Sequence, residues 1–131
     1  MREPVWVPRL VLDAVHLDQL REHGGLPGVR DENALEAALA RARQKWAYDP
    51  EADLAVLAAA YGFGVATAHP YSDGNKRAAF LAMAVFLGLN GKEIEAGEDE
   101  VVTVMTSLAA GSLKEARLAV WVREHLVRLQ G

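Results

Sequence analysis

Between two long apolar runs lies the stretch HPYSDGNKR, residues 69–77. It gathers His69, Asp73, Gly74, Asn75, Lys76 and Arg77 into nine positions. Pro70 disfavours further helix at His69, so the chain must turn there. Gly74 permits a positive φ or a close backbone approach. The helical pattern resumes at once, which places the first amides of a helix near residues 75–77. Such amides have no partner inside their own helix, and they carry the positive end of its dipole. A glycine just before them lets an anion come close. Lys76 and Arg77 occupy the same first turn. Positive side chains there oppose the dipole, at roughly a few tenths of a kcal/mol or more. A purely structural helix start would carry Asp or Glu instead. A bound anion removes the conflict, and phosphate fits best. Arginine can hold it through two hydrogen bonds, and lysine adds a compact charge.

Asp73 would repel a bare phosphate. It fits if it holds a hard divalent cation, typically Mg²⁺, which takes one or two protein carboxylates and fills its shell with phosphate and water. His69 is the neighbouring group able to accept a proton near neutral pH. A base, a metal-binding carboxylate, an amide cradle at Gly74 and Asn75 and two cations suit phosphoryl or nucleotidyl transfer. In that chemistry, positioning and charge neutralisation carry most of the catalysis. Each residue alone has an ordinary structural reading. His69 could be a cap or core residue, Asp73 an N-cap, Asn75 turn chemistry and Lys76–Arg77 a surface pair. All of them together between two buried helices favour function. A Walker phosphate loop is excluded, because neither Ser nor Thr follows Lys76 and the spaced glycine before it is missing. A zinc centre is disfavoured, because His16, His23 and His125 lack metal-ligand spacing to His69.

The elements that must hold this stretch are helical almost throughout. Pro8 suits a first helical position, and Leu10, Ala14, Leu17, Val11 and Val15 line one side of the helix that follows. HGGLPG (23–28) ends it, with Gly24 as the stop. Asp31 suits an N-cap for a second helix with a stripe at Leu35, Ala38, Leu39 and Ala42. QKWAYD (44–49) breaks the pattern. Asp49 and Pro50 read as the cap and first residue of a third helix, over 50–68. That helix is apolar nearly all round, so it should be central. Its alanines, Gly62 and Gly64 keep it thin enough for close neighbours. A fourth helix spans 75–89, KEIEA (92–96) reads as a short extended piece, and a fifth helix spans 99–109. Ser112 and Glu115 read as a capping box for a last helix carrying Leu118, Trp121, Val122, Leu126 and Leu129. The expectation is one all-α domain over 1–131.

The composition limits the alternatives. At 131 residues the chain is long enough for one self-sufficient core. Apolar residues make up 51%, which argues against disorder. Without cysteine there is neither a disulfide nor a thiolate site, which fits a reducing compartment. The net charge is −4, and basic residues are scattered, so broad nucleic-acid binding is not expected. RARQK (41–45) reads as a solvated helix face. No apolar run spans a membrane, and the N-terminus lacks a signal-peptide pattern. The expected setting is cytoplasmic.

The stretch 69–77 resembles the signature of the Fic/Doc family, in the variant of the Doc (death-on-curing) toxins. HGGLPGVRDENALEAALARA (23–42) and FLGLNGKEI (86–94) are similar to flanking segments of that family, so the resemblance covers roughly 10–129. It implies an all-α fold with the active loop between two central helices. It implies His69 as general base, Asp73 as the Mg²⁺-positioning acid, the Gly74–Asn75 backbone as anion cradle, and Lys76 and Arg77 as phosphate ligands. The branch that transfers AMP has a glycine where Lys76 stands and an arginine where Phe80 stands. The lysine goes with a nucleotide bound in reverse, so that the γ-phosphate of ATP is transferred. The implied target is a threonine of elongation factor Tu, and the implied inhibitor is a Phd-like antitoxin. Phenylalanine is usual where Tyr71 stands here, and a buried Tyr71 hydroxyl would need a partner and would anchor the loop. The family's target-docking flap is placed at 44–49, and a plain interhelical loop with Trp46 and Tyr48 packed inward fits that segment equally well. Two other readings stay open: transfer of AMP or another nucleotidyl group, and a helical binding module without catalysis.

Overall fold

A computed structural model describes residues 2–130. Six helices follow one another: α1 (Arg9–His23), α2 (Glu32–Tyr48), α3 (Leu54–Ala68), α4 (Asn75–Leu89), α5 (Glu98–Ala109) and α6 (Glu115–Glu124). Two short strands, β1 (Lys92–Ile94) and β2 (Leu126–Arg128), pair antiparallel with Ile94 opposite Leu126. The architecture is the expected all-α one.

The middle of the molecule is α3. Ten of its residues are buried, from Ala55 to Ala66. It packs against α2, α4, α5 and α6. Its small residues make this possible. A Cβ at Gly64 would lie 3.3 Å from the Cα and carbonyl oxygen of Ala38, so α2 and α3 touch nearly backbone to backbone. Phe86 of α4 is fully buried, with Tyr61 tilted against it at 5.1 Å and Trp6 stacked on it at 5.9 Å. The Tyr61 hydroxyl accepts the Val7 amide at 3.0 Å, which ties the segment before α1 to the core.

Several local expectations are corrected. The side of α1 carrying Leu10, Ala14 and Leu17 faces solvent, and Leu10 is 81% exposed. The buried stripe is Leu12, His16 and Leu20, because α1 meets α4 through that face. Residues 44–48 do not break the helix. They form the last turns of α2, with Trp46 half-buried and edge-on to Trp6 at 6.1 Å. Tyr48 stands out in solvent rather than packing inward. Asp49 ends α2 instead of starting α3. The cap of α3 is Asp53, which accepts the Val56 amide at 2.9 Å and meets Arg123 of α6 at 2.8 Å. The capping box at 112–115 does not form. Ser112 donates to the Ser107 carbonyl, and Glu115 is drawn to Arg41 and Lys45 of α2. The last helix stops at Glu124, because β1 recruits residues 126–128 as a strand.

Gly64→Val tests the close approach of α2 and α3. The added side chain meets the backbone and the rigid Cβ of Ala38, so a loss of roughly 1–3 kcal/mol is expected. Urea denaturation should show a lower midpoint with the slope unchanged.

Candidate active site

The residues singled out at 69–77 come together where α3 ends and α4 begins. Ala68 closes α3, and His69 follows with φ 49° and ψ 54°. It is the one non-glycine residue in the left-handed region among those described. That conformation is costly for a residue with a Cβ, so something must hold it. The Arg30 guanidinium does so. Its Nε donates to the His69 carbonyl at 2.9 Å, and its Nη2 donates to the carbonyls of both His69 and Ala68. A cation here also satisfies the negative end of the α3 dipole. The His69 side chain is left exposed.

The chain then runs beside the segment linking α1 and α2. Arg30 and Asp31 donate their amides to the Pro70 carbonyl at 2.8 and 3.1 Å, and Ser72 donates to the Gly28 carbonyl at 3.0 Å. Val29 and Tyr71 form an isolated antiparallel bridge. This strand-like piece lies next to the loop, whereas 44–49, proposed from the sequence as a flap, is helical up to Tyr48.

Asn75 closes the loop from within. Its Oδ1 accepts the Tyr71 amide at 2.9 Å, and its Nδ2 donates to the Tyr71 carbonyl at 3.0 Å. The Asn75 side chain is thus turned onto the loop, while its main-chain amide stays uncapped at the start of α4. Tyr71 is buried, as the anchoring expectation requires, and its hydroxyl donates to Asp13 Oδ1 at 2.7 Å. Asp13 in turn receives Arg9 Nε at 3.2 Å. The Tyr71 ring stacks on His16 at 3.8 Å, and His16 Nε2 meets the Asp73 carbonyl at 2.8 Å.

Gly74 precedes α4 with φ 71°, which explains why a glycine stands there. The helix ladder begins when Ala78 donates to Gly74, and no side chain caps the amides before it. The first turn contains no acidic residue. Lys76 and Arg77 are exposed, and neither pairs with a carboxylate among the described residues. Asp73 is exposed as well. Its Oδ1 accepts the Gly74 amide at 3.0 Å, and its Oδ2 accepts the Leu26 amide at 3.2 Å. The surface thus offers an imidazole, a carboxylate, two free cations and uncapped amides side by side. That donor set matches a phosphate-bearing ligand.

No group of three or more His, Asp or Glu side chains among the described residues could enclose a metal ion. A divalent ion at this site would have Asp73 as its protein carboxylate. That suits Mg²⁺, which commonly binds through one carboxylate and the phosphates of its partner. Two surface depressions, of about 430 and 380 Å³, involve none of the motif residues. They run along α2 and α6, where Lys45 already pairs with Glu115.

Residues 6–87 match the profile described as the Fic/DOC family. The chain belongs to the Fic/DOC family. A relative named protein kinase doc, from Escherichia phage P1, is 30% identical over 112 residues. The alignment takes in 86% of this chain and 88% of that protein. No helix among the described residues is long and apolar enough to cross a membrane.

Sequence reasoning assigned no role to Arg30, Asp13 or His16. A histidine in step with Leu12 and Leu20 was the available signal for His16. Arg30 offered none, because it acts on carbonyls 38 and 39 positions away.

Burial, with the Asp13 carboxylate alongside, pushes the Tyr71 hydroxyl well above its ordinary value near 10. The folded protein therefore keeps a proton that the unfolded chain releases above that pH. Stability contributed by Tyr71 is complete below about pH 10 and falls as pH rises further. Chemical denaturation from pH 8 to 11 should show this decline, and Tyr71→Phe should flatten part of it. Tyr61, also raised by burial, acts in the same direction.

Proposed function

We propose that this protein is a toxin of Doc type. It transfers the γ-phosphoryl group of ATP to a Ser or Thr hydroxyl of a translation factor and so halts translation. The observation that carries the reading is the start of α4. Uncapped amides and two cations without a carboxylate partner among the described residues share one turn, beside an exposed histidine and an exposed carboxylate. The name of the phage relative supports a kinase. Elongation factor Tu is the target that the resemblance implies.

Each residue has a defined task in this reading. The amides from Asn75 to Arg77 receive phosphate oxygens beside Gly74, which has no side chain to block their approach, and the side chains of Lys76 and Arg77 neutralise their charge. Asp73 would hold Mg²⁺, which when bound supplies further neutralisation of the phosphates. The target hydroxyl attacks the γ-phosphorus, and its proton passes to the His69 imidazole. The bond from the γ-phosphorus to the bridging oxygen breaks, and ADP leaves. Arg30 keeps His69 in place through the backbone. The segment 24–30, already bridged to Tyr71 through Val29, is the edge on which a target chain docks. The inhibitory partner is a Phd-like antitoxin.

ATP labelled separately at the α and γ positions, incubated with Mg²⁺ and translation factors, tests the assignment. Label should reach protein from the γ position, and mass spectrometry should find a phosphorylated Ser or Thr. His69→Ala should lower the rate by about 100- to 10,000-fold while keeping the fold. Label arriving only from the α position would replace the kinase with a nucleotidyl transferase. Growth arrest that survives His69→Ala undiminished would point to a binding protein.

A further inference from the structure

His16 is 4% exposed, the one buried polar or charged residue among those described. It lies on the face of α1 that meets α4, in step with Leu12 and Leu20. The mechanism above makes no use of it. Its Nε2 lies 2.8 Å from the carbonyl oxygen of Asp73. A carbonyl can only accept, so Nε2 carries the proton and the ring donates. The ring is held flat against Tyr71, 3.8 Å between centroids and 20° between planes, and Tyr71 is itself tied to Asp13. A Cβ at Gly74 would sit 3.3 Å from Nε2 and 3.2 Å from Leu20 Cδ2. The turn at 73–74 is therefore pressed directly onto the imidazole.

The consequence lies in the peptide between Asp73 and Gly74. In a planar trans peptide the carbonyl and the amide hydrogen point to opposite sides. A carbonyl drawn inward by His16 turns the Gly74 amide outward. That amide does face the exposed side, where it donates to the Asp73 carboxylate at 3.0 Å. It is the amide immediately before the uncapped amides of α4. We infer that His16 is a positioning residue for the phosphate cradle, a fixed Nε2–H donor that sets the plane of the Asp73–Gly74 peptide and so the face on which Asp73 and the first α4 amides meet the nucleotide. The consequence for catalysis rests on the phosphotransferase reading. The orientation of the amide does not.

Three substitutions separate donation from packing. His16→Phe keeps a flat ring for Tyr71 and removes the donor. His16→Gln places an amide nitrogen as many bonds from Cβ as Nε2 is. His16→Asn stops at the reach of Nδ1. Two readouts apply to each: the ¹H–¹⁵N resonance of the Gly74 amide without ligand, and calorimetric binding of ATP with Mg²⁺. His16→Phe and His16→Asn should displace the Gly74 resonance and weaken ATP by about tenfold, the scale of one lost hydrogen bond to a buried carbonyl. His16→Gln should recover most of both. An unmoved Gly74 resonance in the Phe and Asn variants would overturn the inference. So would affinity losses that follow melting temperature across all three variants, whether or not a donor is present. A wild-type protein that binds no ATP would sink the phosphotransferase reading, and the Gly74 resonance would still decide the role of His16.

Discussion

The amides of Asn75, Lys76 and Arg77 precede the hydrogen-bond ladder of α4, which starts with Ala78 donating to Gly74. Helix starts normally satisfy such amides with a capping side chain or water. Here the position before the helix is a glycine, and the turn contains two cations and no acid. An uncapped positive terminus is stable only in contact with water or an anion, so it must remain at the surface. The helix it begins cannot leave the core, since Ala78, Ala79, Ala82, Met83, Phe86 and Leu87 are all buried. The candidate site lies where these two demands meet.

A rigid platform follows from the same packing. Since α3 and α4 are fixed by the core, the six residues joining them have little freedom. The remaining freedom is removed from three directions. Arg30 holds the carbonyls at the end of α3, Asn75 folds back onto Tyr71, and α1 reaches in through Asp13 and His16. Most of these contacts grip backbone atoms, which leaves the side chains of His69, Asp73, Lys76 and Arg77 facing outward. The left-handed His69 and the cations at a helix start each violate a local preference. Violations of this kind concentrate where function requires them, and here both fall within residues 69–77.

Much of this was legible in the residues. The apolar surround of α3, the turn forced by Pro70 and the glycine before α4 each follow from short-range chemistry, and all appear as expected. Errors arose where a local rule had a distant competitor. Glu115 could have closed a capping box, but Arg41 and Lys45 of α2 claim it. Residues 126–128 continue an apolar helical pattern, yet pairing with β1 draws them into a strand. On α1, Leu10 and Leu17 look like a core stripe, while the face that α4 actually covers contains a histidine.

Short-range order alone determined the helical class, the position of the nine-residue motif and its charge pattern. Those depend on periodicity, on proline and glycine, and on charge set against a helix dipole, all felt within a few residues. Tertiary structure alone decided which groups hold the motif in place. Arg30 meets His69 across 39 positions, His16 meets Asp73 across 57, and Asp13 meets Tyr71 across 58. A hydrogen bond forms only within about 3 Å and near-linear geometry. Partners so far apart in the chain are selected by how helices pack, which no local pattern of residues specifies.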